Sequence, residues 1–423
     1  MMPGPMRLAP YVSLLRRNPD FTRLYAAQLA SFAGDWFATV ALLGLALEAT
    51  GSSGLAALVL ALQTGGFAAA SPLAGILADR IDRRWLLVAT DLARVPVALL
   101  FLLAHDSGTL WIAFVAVLFL AVGAAVFEPT SSASLPNLVD REDLPTANVL
   151  IGSAWGTMLA LGAALGGIVA VTLGREAAFV VNALSFLVSA ALIVGIRRPL
   201  QEARDAAPPG RFALTDAIAT AYRFVRPRRT AAAFLLTKTS FGIGTGIVAL
   251  LAVFGRNVFS AGDAGIGLLF AARGLGALVG PFAARSLMGT DDRGLIRGIG
   301  WAFVTIAVCY AAFPLAPSIA IAAVLVFMAH CGGGAQWTFS TLGLQRATPD
   351  AIRGRVFSVD YGLVTLTIAL STLLAGFLAD AVAPAAAVWT MVALLALAGG
   401  AWYAFSRPAV AGDLAGSAPL KDR

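Results

Sequence analysis

The sequence is poor in the residues on which soluble enzymes and disulfide scaffolds depend. Only two cysteines, Cys309 and Cys331, and two histidines, His105 and His330, occur in 423 residues. Both cysteines lie inside apolar blocks and read as packing residues, so neither a disulfide framework nor a metal site is expected. Neither histidine belongs to a recognisable metal-ligand or nucleophile motif, which argues against an enzyme. There is no phosphate-cradling Walker loop and no soluble stretch large enough for an ATPase, so no nucleotide or other cofactor is expected. Charge is scarce at 13% of residues. The net charge of +7 does not imply a nucleic-acid partner, because the basic residues flank apolar segments and no soluble domain carries them. The first nineteen residues hold Arg7, Arg16 and Arg17 without an apolar stretch of their own, so no cleavable signal is expected.

What is abundant is apolar sequence. Hydrophobic residues make up 59% of the chain and the mean hydropathy is +0.83. They fall in blocks at about 24–47, 55–78, 85–104, 109–127, 147–173 and 177–196. Six more follow at 231–254, 264–288, 295–315, 318–344, 356–379 and 385–405. Each can cross a hydrocarbon core, which takes roughly 20 helical residues. Period-2 alternation is absent, which leaves helices as the spanning structure. The chain is therefore expected to be an all-α membrane protein with twelve transmembrane helices. Twenty-five of the 30 Lys and Arg residues fall in the termini and in alternate loops, which puts those loops and both termini in the cytoplasm. The opposite loops hold only Arg175 and Arg256, and Arg94, Lys238 and Arg273 lie within helices.

A polar segment at 198–229 divides the chain into six and six helices, giving an N-terminal bundle (1–197) and a C-terminal bundle (230–407) with a cytoplasmic tail at 408–423. Within the linker, Leu214, Ile218, Tyr222 and Val225 are spaced for an amphipathic helix at the inner membrane surface. The halves align at a constant offset of 209 residues: Ser31-Phe32 on Ser240-Phe241, Gly65 on Gly274, Pro72 on Pro281, Arg84 on Arg293 and Gly123 on Gly332. Parallel repeats of this kind mark transporters, with the substrate site near mid-depth.

The string 75-GILADRIDRR-84, with twelve helices and a long central loop, resembles the major facilitator superfamily. The strings 18-NPDFTRLYAAQLASFAGDW-36, 135-LPNLVDREDLPTANVL-150, 162-GAALGG-167 and 345-QRATPDAIRGRV-356 resemble its bacterial efflux branch of enterobactin exporters and macrolide-efflux proteins. The resemblance implies two pseudo-symmetric six-helix bundles. It also implies a cytoplasmic gate of Gly75, Asp79, Arg80, Arg83 and Arg84, in which Asp79 meets the helix start near Arg355–Ser358. Asp91 and Arg94, three apart on one helix face, are expected to buttress that gate as an ion pair, and Arg353 and Arg355 to mirror it in the second half, with Asp360 in the same charge cluster. Where Asp82 stands the family usually has glycine, and where Ala163 stands it has proline. Gly162, Gly166 and Gly167 remain suited to close helix packing, with Gly274, Gly276 and Gly280 as possible counterparts.

Three charges inside the apolar blocks are the mechanistic candidates. Asp35 lies midway along the first helix, and Glu128 on the inner part of the fourth; both are expensive to bury and suit proton coupling, with a substrate contact or an interhelical hydrogen bond open for Asp35 and a cytoplasmic gate role for Glu128. Arg273 lies about nine residues into the eighth helix, too deep to snorkel, and is expected to meet Asp35, Glu128 or an anionic substrate. Lys238 is shallower and suits snorkelling or a substrate contact. Gln336 and Trp337, in 332-GGGAQW-337, are further substrate-cavity candidates, while Asn182 and Gln63 read as interhelical links.

The function expected is secondary active transport in the bacterial cytoplasmic membrane. Proton-coupled export of amphipathic small molecules of drug or siderophore type, by a monomeric multidrug antiporter, is the leading reading. Its partners are then the substrate, protons and membrane lipid. Import, lipid or lysolipid flipping, and a non-transporting sensor or scaffold are the alternatives.

Overall fold

The computed structural model describes residues 9–201, 214–289 and 291–416, with side-chain surroundings for all of these except 72–76, 78–80, 145, 214, 350–351 and 408–416. Among the described residues every regular element is helical. They are α1 (Ala9–Arg17), α2 (Pro19–Thr50), α3 (Ser53–Arg80), α4 (Arg83–Leu99), α5 (Leu110–Leu138), α6 (Leu144–Thr172), α7 (Arg175–Val194), α8 (Leu214–Val225), α9 (Arg229–Gly244), α10 (Ile247–Val253), α11 (Gly262–Met288), α12 (Asp292–Ala312), α13 (Ile319–Ala347), α14 (Asp350–Ala381) and α15 (Pro384–Gly416). Twelve stretches are long and apolar enough to span a membrane, α9 and α10 forming one of them with the π turn Phe254–Val258. This is the multi-pass, all-α architecture expected.

The chain's own capping residues set where these helices begin. Asn18 accepts a hydrogen bond from the N–H of Phe21 and is followed by Pro19, whose missing N–H is no loss in a first turn. Ser52 does the same for α3 by accepting from Leu55, after Gly51 has closed α2 in the left-handed region at φ +66°. Asp82, the departure from the family's glycine, is the N-cap of α4 and accepts from the N–H of Trp85 at 3.2 Å.

The chain forms two compact units. One comprises Met1–Gly210 and Ala249–Leu275; the other comprises Arg211–Val248 and Gly276–Arg423. In the first, α2 packs on α6 and α7, α3 on α5, and α4 on α5 and α7. In the second, α12 packs on α13 and α15, and α9 on α13, α14 and α15. Many large apolar side chains point outward, among them Leu173 at 71% exposure and Leu397 at 72%. Water would penalise such a surface, whereas hydrocarbon accepts it.

Within the linker the chain forms α8, which turns one face to the protein and leaves the larger apolar residues of the other outward. Ala217, Ala221 and Phe224 are buried, and the helix packs on α14 and α9. Ile218 and Tyr222 stay half exposed. The small alanines allow close approach to α14, and the larger residues are left outward, where a membrane surface would cover them.

Candidate functional site

Within the first unit, three helices bring four charged side chains together. Arg94 of α4 is 4% exposed and donates through Nη2 to Asp35 of α2 at 3.0 Å. Through Nη1 it donates to Asp91, one turn earlier on α4, at 3.3 Å, and to Ser31 at 3.1 Å. Its guanidinium also lies 4.0 Å from the centroid of the Phe186 ring on α7, a cation–π contact. Asp91 is fully buried, and its Oδ2 has no hydrogen-bond partner. Glu128 of α5 lies within electrostatic reach of Arg94 and Asp35. Gly123 makes room for the arginine: a Cβ there would sit 2.7 Å from Arg94 Cδ. Two carboxyl groups thus share one guanidinium, with a third acid close by, an excess of negative charge that is costly to bury.

In the second unit, Lys238 of α9 is 1% exposed and donates to Asp360 of α14 at 2.5 Å. Its Nζ stands 5.1 Å from the ring centroids of Trp337 and Tyr361 and 5.7 Å from that of Phe357. Gln336 is buried beside it and donates to the carbonyl of Thr237 at 3.3 Å.

At one end of the first unit lies a third group. Arg175, at the start of α7, donates to Asp263 Oδ2 at 2.7 Å and to Glu48 Oε2 at 2.6 Å. Arg256 donates to Asp263 Oδ1 at 2.5 Å and to the same Glu48. These are the two basic residues that the charge pattern assigned to the non-cytoplasmic loops, and both hold the same pair of acids.

A family described as transmembrane secretion effector matches residues 8–423. The chain belongs to it, within the major facilitator superfamily. The putative bacilysin exporter BacE of Bacillus amyloliquefaciens is 26% identical over 369 residues, covering 84% of this chain and 88% of that protein. The uncharacterized MFS-type transporter Rv0037c of Mycobacterium tuberculosis is 28% identical, covering 86% of each. Among solved structures, a POT family transporter in complex with a thioalcohol conjugated peptide superposes with a TM-score of 0.78 at 11% identity, covering 92% of this chain and 96% of the other. A bacterial homolog of the human lysosomal transporter Spinster, in an inward-facing conformation, gives 0.70 at 16% identity, covering 95% and 98%. At those identities the likeness is one of fold.

With the family in hand, each expected residue can be located in this transporter. Asp35 meets Arg94, and the aromatic contacts of Arg273 are the faces of Trp155 at 5.5 Å and Phe270 at 5.8 Å. The Asp91–Arg94 pair forms, but it is part of the buried Asp35 group rather than an isolated brace. Lys238 does not snorkel; Asp360 holds it inside, and Asp360 is itself buried rather than part of a surface charge cluster. Lys238 of α9 and the adjacent Gln336 and Trp337 of α13 converge on that one place. Sequence reading undervalued Asp360, whose signal was an acid nearly three turns into an apolar helix.

Arg83 and Arg84 donate to backbone carbonyls: Arg83 to Ala133 within α5 at 2.6 Å and to Leu200 after α7 at 3.3 Å, Arg84 to Arg198, also after α7, at 2.9 Å. Arg353 likewise donates to the carbonyl of Thr348 at 3.3 Å, and Arg355 is exposed. Gly75, Asp79 and Arg80 lie on α3, but their surroundings fall outside the described residues. Gly162 and Gly166 face Ala33, Trp36 and Phe37 of α2, whereas Gly167 faces Ala264 and Gly267 of α11. Gly274 meets α6 at Ala160; Gly276 and Gly280 instead face α13 at Phe327 and Cys331. Gln63 donates to Thr39 at 2.9 Å, whereas the side-chain atoms of buried Asn182 have no hydrogen-bond partner. His330 is hydrogen-bonded through Nε2 to the hydroxyl of Tyr310 at 2.8 Å.

Proposed function

We propose that this transporter is a proton-coupled exporter of amphipathic small molecules, working by alternating access in the bacterial cytoplasmic membrane with both termini inside. The observation that carries the coupling is the sharing of Arg94 by Asp35 and Asp91, with Glu128 in reach. When Asp35 is protonated its hold on Arg94 weakens, and Asp91 becomes the principal counter-ion. When the proton leaves, the pair re-forms. A conformation that exposes the group to one side of the membrane then loads or unloads a proton there. Drug- or siderophore-type compounds suit the largely apolar interior, and the relatives named as bacilysin exporters support the outward direction.

Asp79, with Gly75 and Arg80, acts in this reading as a latch on the cytoplasmic side. Arg83 and Arg84 tie the start of α4 to α5 and to the segment after α7 through their carbonyl contacts. The transporter acts as a monomer.

Inverted membrane vesicles test the proposal. An imposed proton gradient should drive uptake of an amphipathic probe, and adding the probe should in turn dissipate the gradient. Gradient-independent movement of every probe in a drug and metabolite panel would overturn it.

A further inference from the structure

The chain holds 28 arginines and only two lysines, Lys238 and Lys421. Lys238 is therefore the one lysine in an apolar span, at a place where everything around it recognises positive charge. The faces of Trp337, Tyr361 and Phe357 surround its Nζ, and an aromatic face attracts a cation through its quadrupole. Asp360 Oδ2 accepts its proton, while Asp360 Oδ1 is buried with no donor. Gln336 Oε1 is buried and donorless as well. Both orphan atoms are acceptors, so what is missing is a donor, not an anion. Buried acceptors without donors are uncommon and costly.

The cage is not sealed. Trp337 is half-buried, Tyr361 is 46% exposed, and their rings meet edge to face at 5.9 Å. Lys238 forms an ion pair with Asp360. On α9, α13 and α14 the other charged side chains with described surroundings, Arg229, Arg346, Arg353, Arg355 and Asp380, lie five or more residues along their helices from Lys238, Trp337 or Asp360, roughly 7 Å of rise or more.

We propose that this cage is a single-cation site in which the protonated Lys238 and the ammonium of an organic amine alternate. The proposal rests on the transport reading above and names a substrate class for it. Two cations against one carboxylate would leave a net positive charge in the hydrocarbon, so entry of the ligand cation expels one proton. The N–H bond of Lys238 breaks, its electron pair stays on Nζ, and the proton passes to water on the Tyr361 side. The neutral amine then accepts from the ligand, whose remaining N–H groups reach Asp360 Oδ1 and Gln336 Oε1. The site's charge is zero before and after. Lysine can play this part and arginine cannot, because a guanidinium keeps its proton in proteins.

The test is calorimetric titration of the full-length protein in lipid nanodiscs with 2-phenylethylamine, benzyltrimethylammonium and benzoate. Each is run in two buffers of different ionisation enthalpy, so that released protons are counted. 2-Phenylethylamine should bind with about one proton released, since it adds one charge to a one-charge site, and benzyltrimethylammonium, which has no N–H to donate, should bind about tenfold more weakly or worse. Lys238→Met should still bind the amine, Asp360→Asn should lose it, and benzoate should not bind. Binding of 2-phenylethylamine without proton release, equal or tighter binding of benzyltrimethylammonium, binding of benzoate, or no binding at all to folded protein would each overturn the proposal. The proton count on the unmodified protein decides even if Lys238→Met fails to fold. Gradient-driven uptake of non-cationic probes into inverted vesicles separates the two readings: if it persists while the cage binds no amine, only the cage assignment fails.

Discussion

Arg175 and Asp263 face each other side-on, Nε to Oδ2 at 2.7 Å and Nη2 to Oδ1 at 3.3 Å, across 88 residues of sequence. This is the fork geometry that only arginine supplies to a carboxylate. Asp263 is 5% exposed and is held from its other side by Arg256. The space for it comes from Gly44, where a Cβ would fall 2.1 Å from Asp263 Oδ1.

Within this group the two acids should differ sharply. Asp263→Asn leaves two guanidinium groups facing a neutral amide and should cost about 3–5 kcal/mol, as breaking a buried pair does. Glu48 is 57% exposed, so Glu48→Gln should cost no more than about 1 kcal/mol. Thermal denaturation in detergent should show a clear drop for the first and little change for the second. Gly44→Val should behave like Asp263→Asn. Equal drops for the two acid variants would mean that exposure does not govern this cluster.

Arg94 should be the most costly single loss in the first unit. Arg94→Met strands Asp91, which is fully buried, and should destabilise by about 3–5 kcal/mol. Gly123→Val should do the same from the other side, by displacing the arginine's stem. Adding Asp91→Asn to Arg94→Met should restore much of the lost stability, because the uncompensated charge goes with it. A thermal shift series on the single and double variants checks this.

Asp35→Asn should separate binding from coupling. The amide keeps the shape and still accepts from Arg94, so the fold should survive, but the group no longer exchanges a proton. Gradient-driven probe uptake in inverted vesicles should fall at least tenfold, while exchange of probe without a gradient continues. Intact proton flux in this variant would remove Asp35 from the coupling role.

The loop between α3 and α4 should divide into a capping residue and a latch. Asp82→Ala removes an N-cap and should cost about 1 kcal/mol, with transport retained. Asp79→Ala should raise the labelling of engineered cysteines on the cytoplasmic face. If labelling is unchanged, Asp79 is no latch.

Much of the fold could be read from the chain because the membrane imposes it. Each block of apolar residues must satisfy its backbone internally, so number, length and type of element follow from hydropathy alone. The candidate site was legible only in part. Asp35, Glu128, Lys238 and Arg273 stood out because a charge in hydrocarbon is costly wherever it points. Their partners did not stand out, since partnership depends on helix rotation and packing, which hydropathy does not encode. Hence hydropathy leaves Asp35, Glu128 or an anionic substrate open as partners of Arg273 and puts Arg94 in a brace nearer the surface, while in the fold Arg94 holds Asp35. Asp360 was placed with the nearby arginines of its own helix, while its partner lies 122 residues back on α9.

The amino-acid sequence by itself determined a chain of twelve apolar helices, where their ends are capped, and which charges would have to be reconciled with hydrocarbon. Only the tertiary structure decided how they are reconciled. It gave Arg94 two acids, put Lys238 in an aromatic cage with one acid, and gathered Arg175 and Arg256 onto Glu48 and Asp263. The reason is physical: the cost of burying a charge belongs to the residue, but its relief belongs to neighbours that only folding brings within about 3 Å.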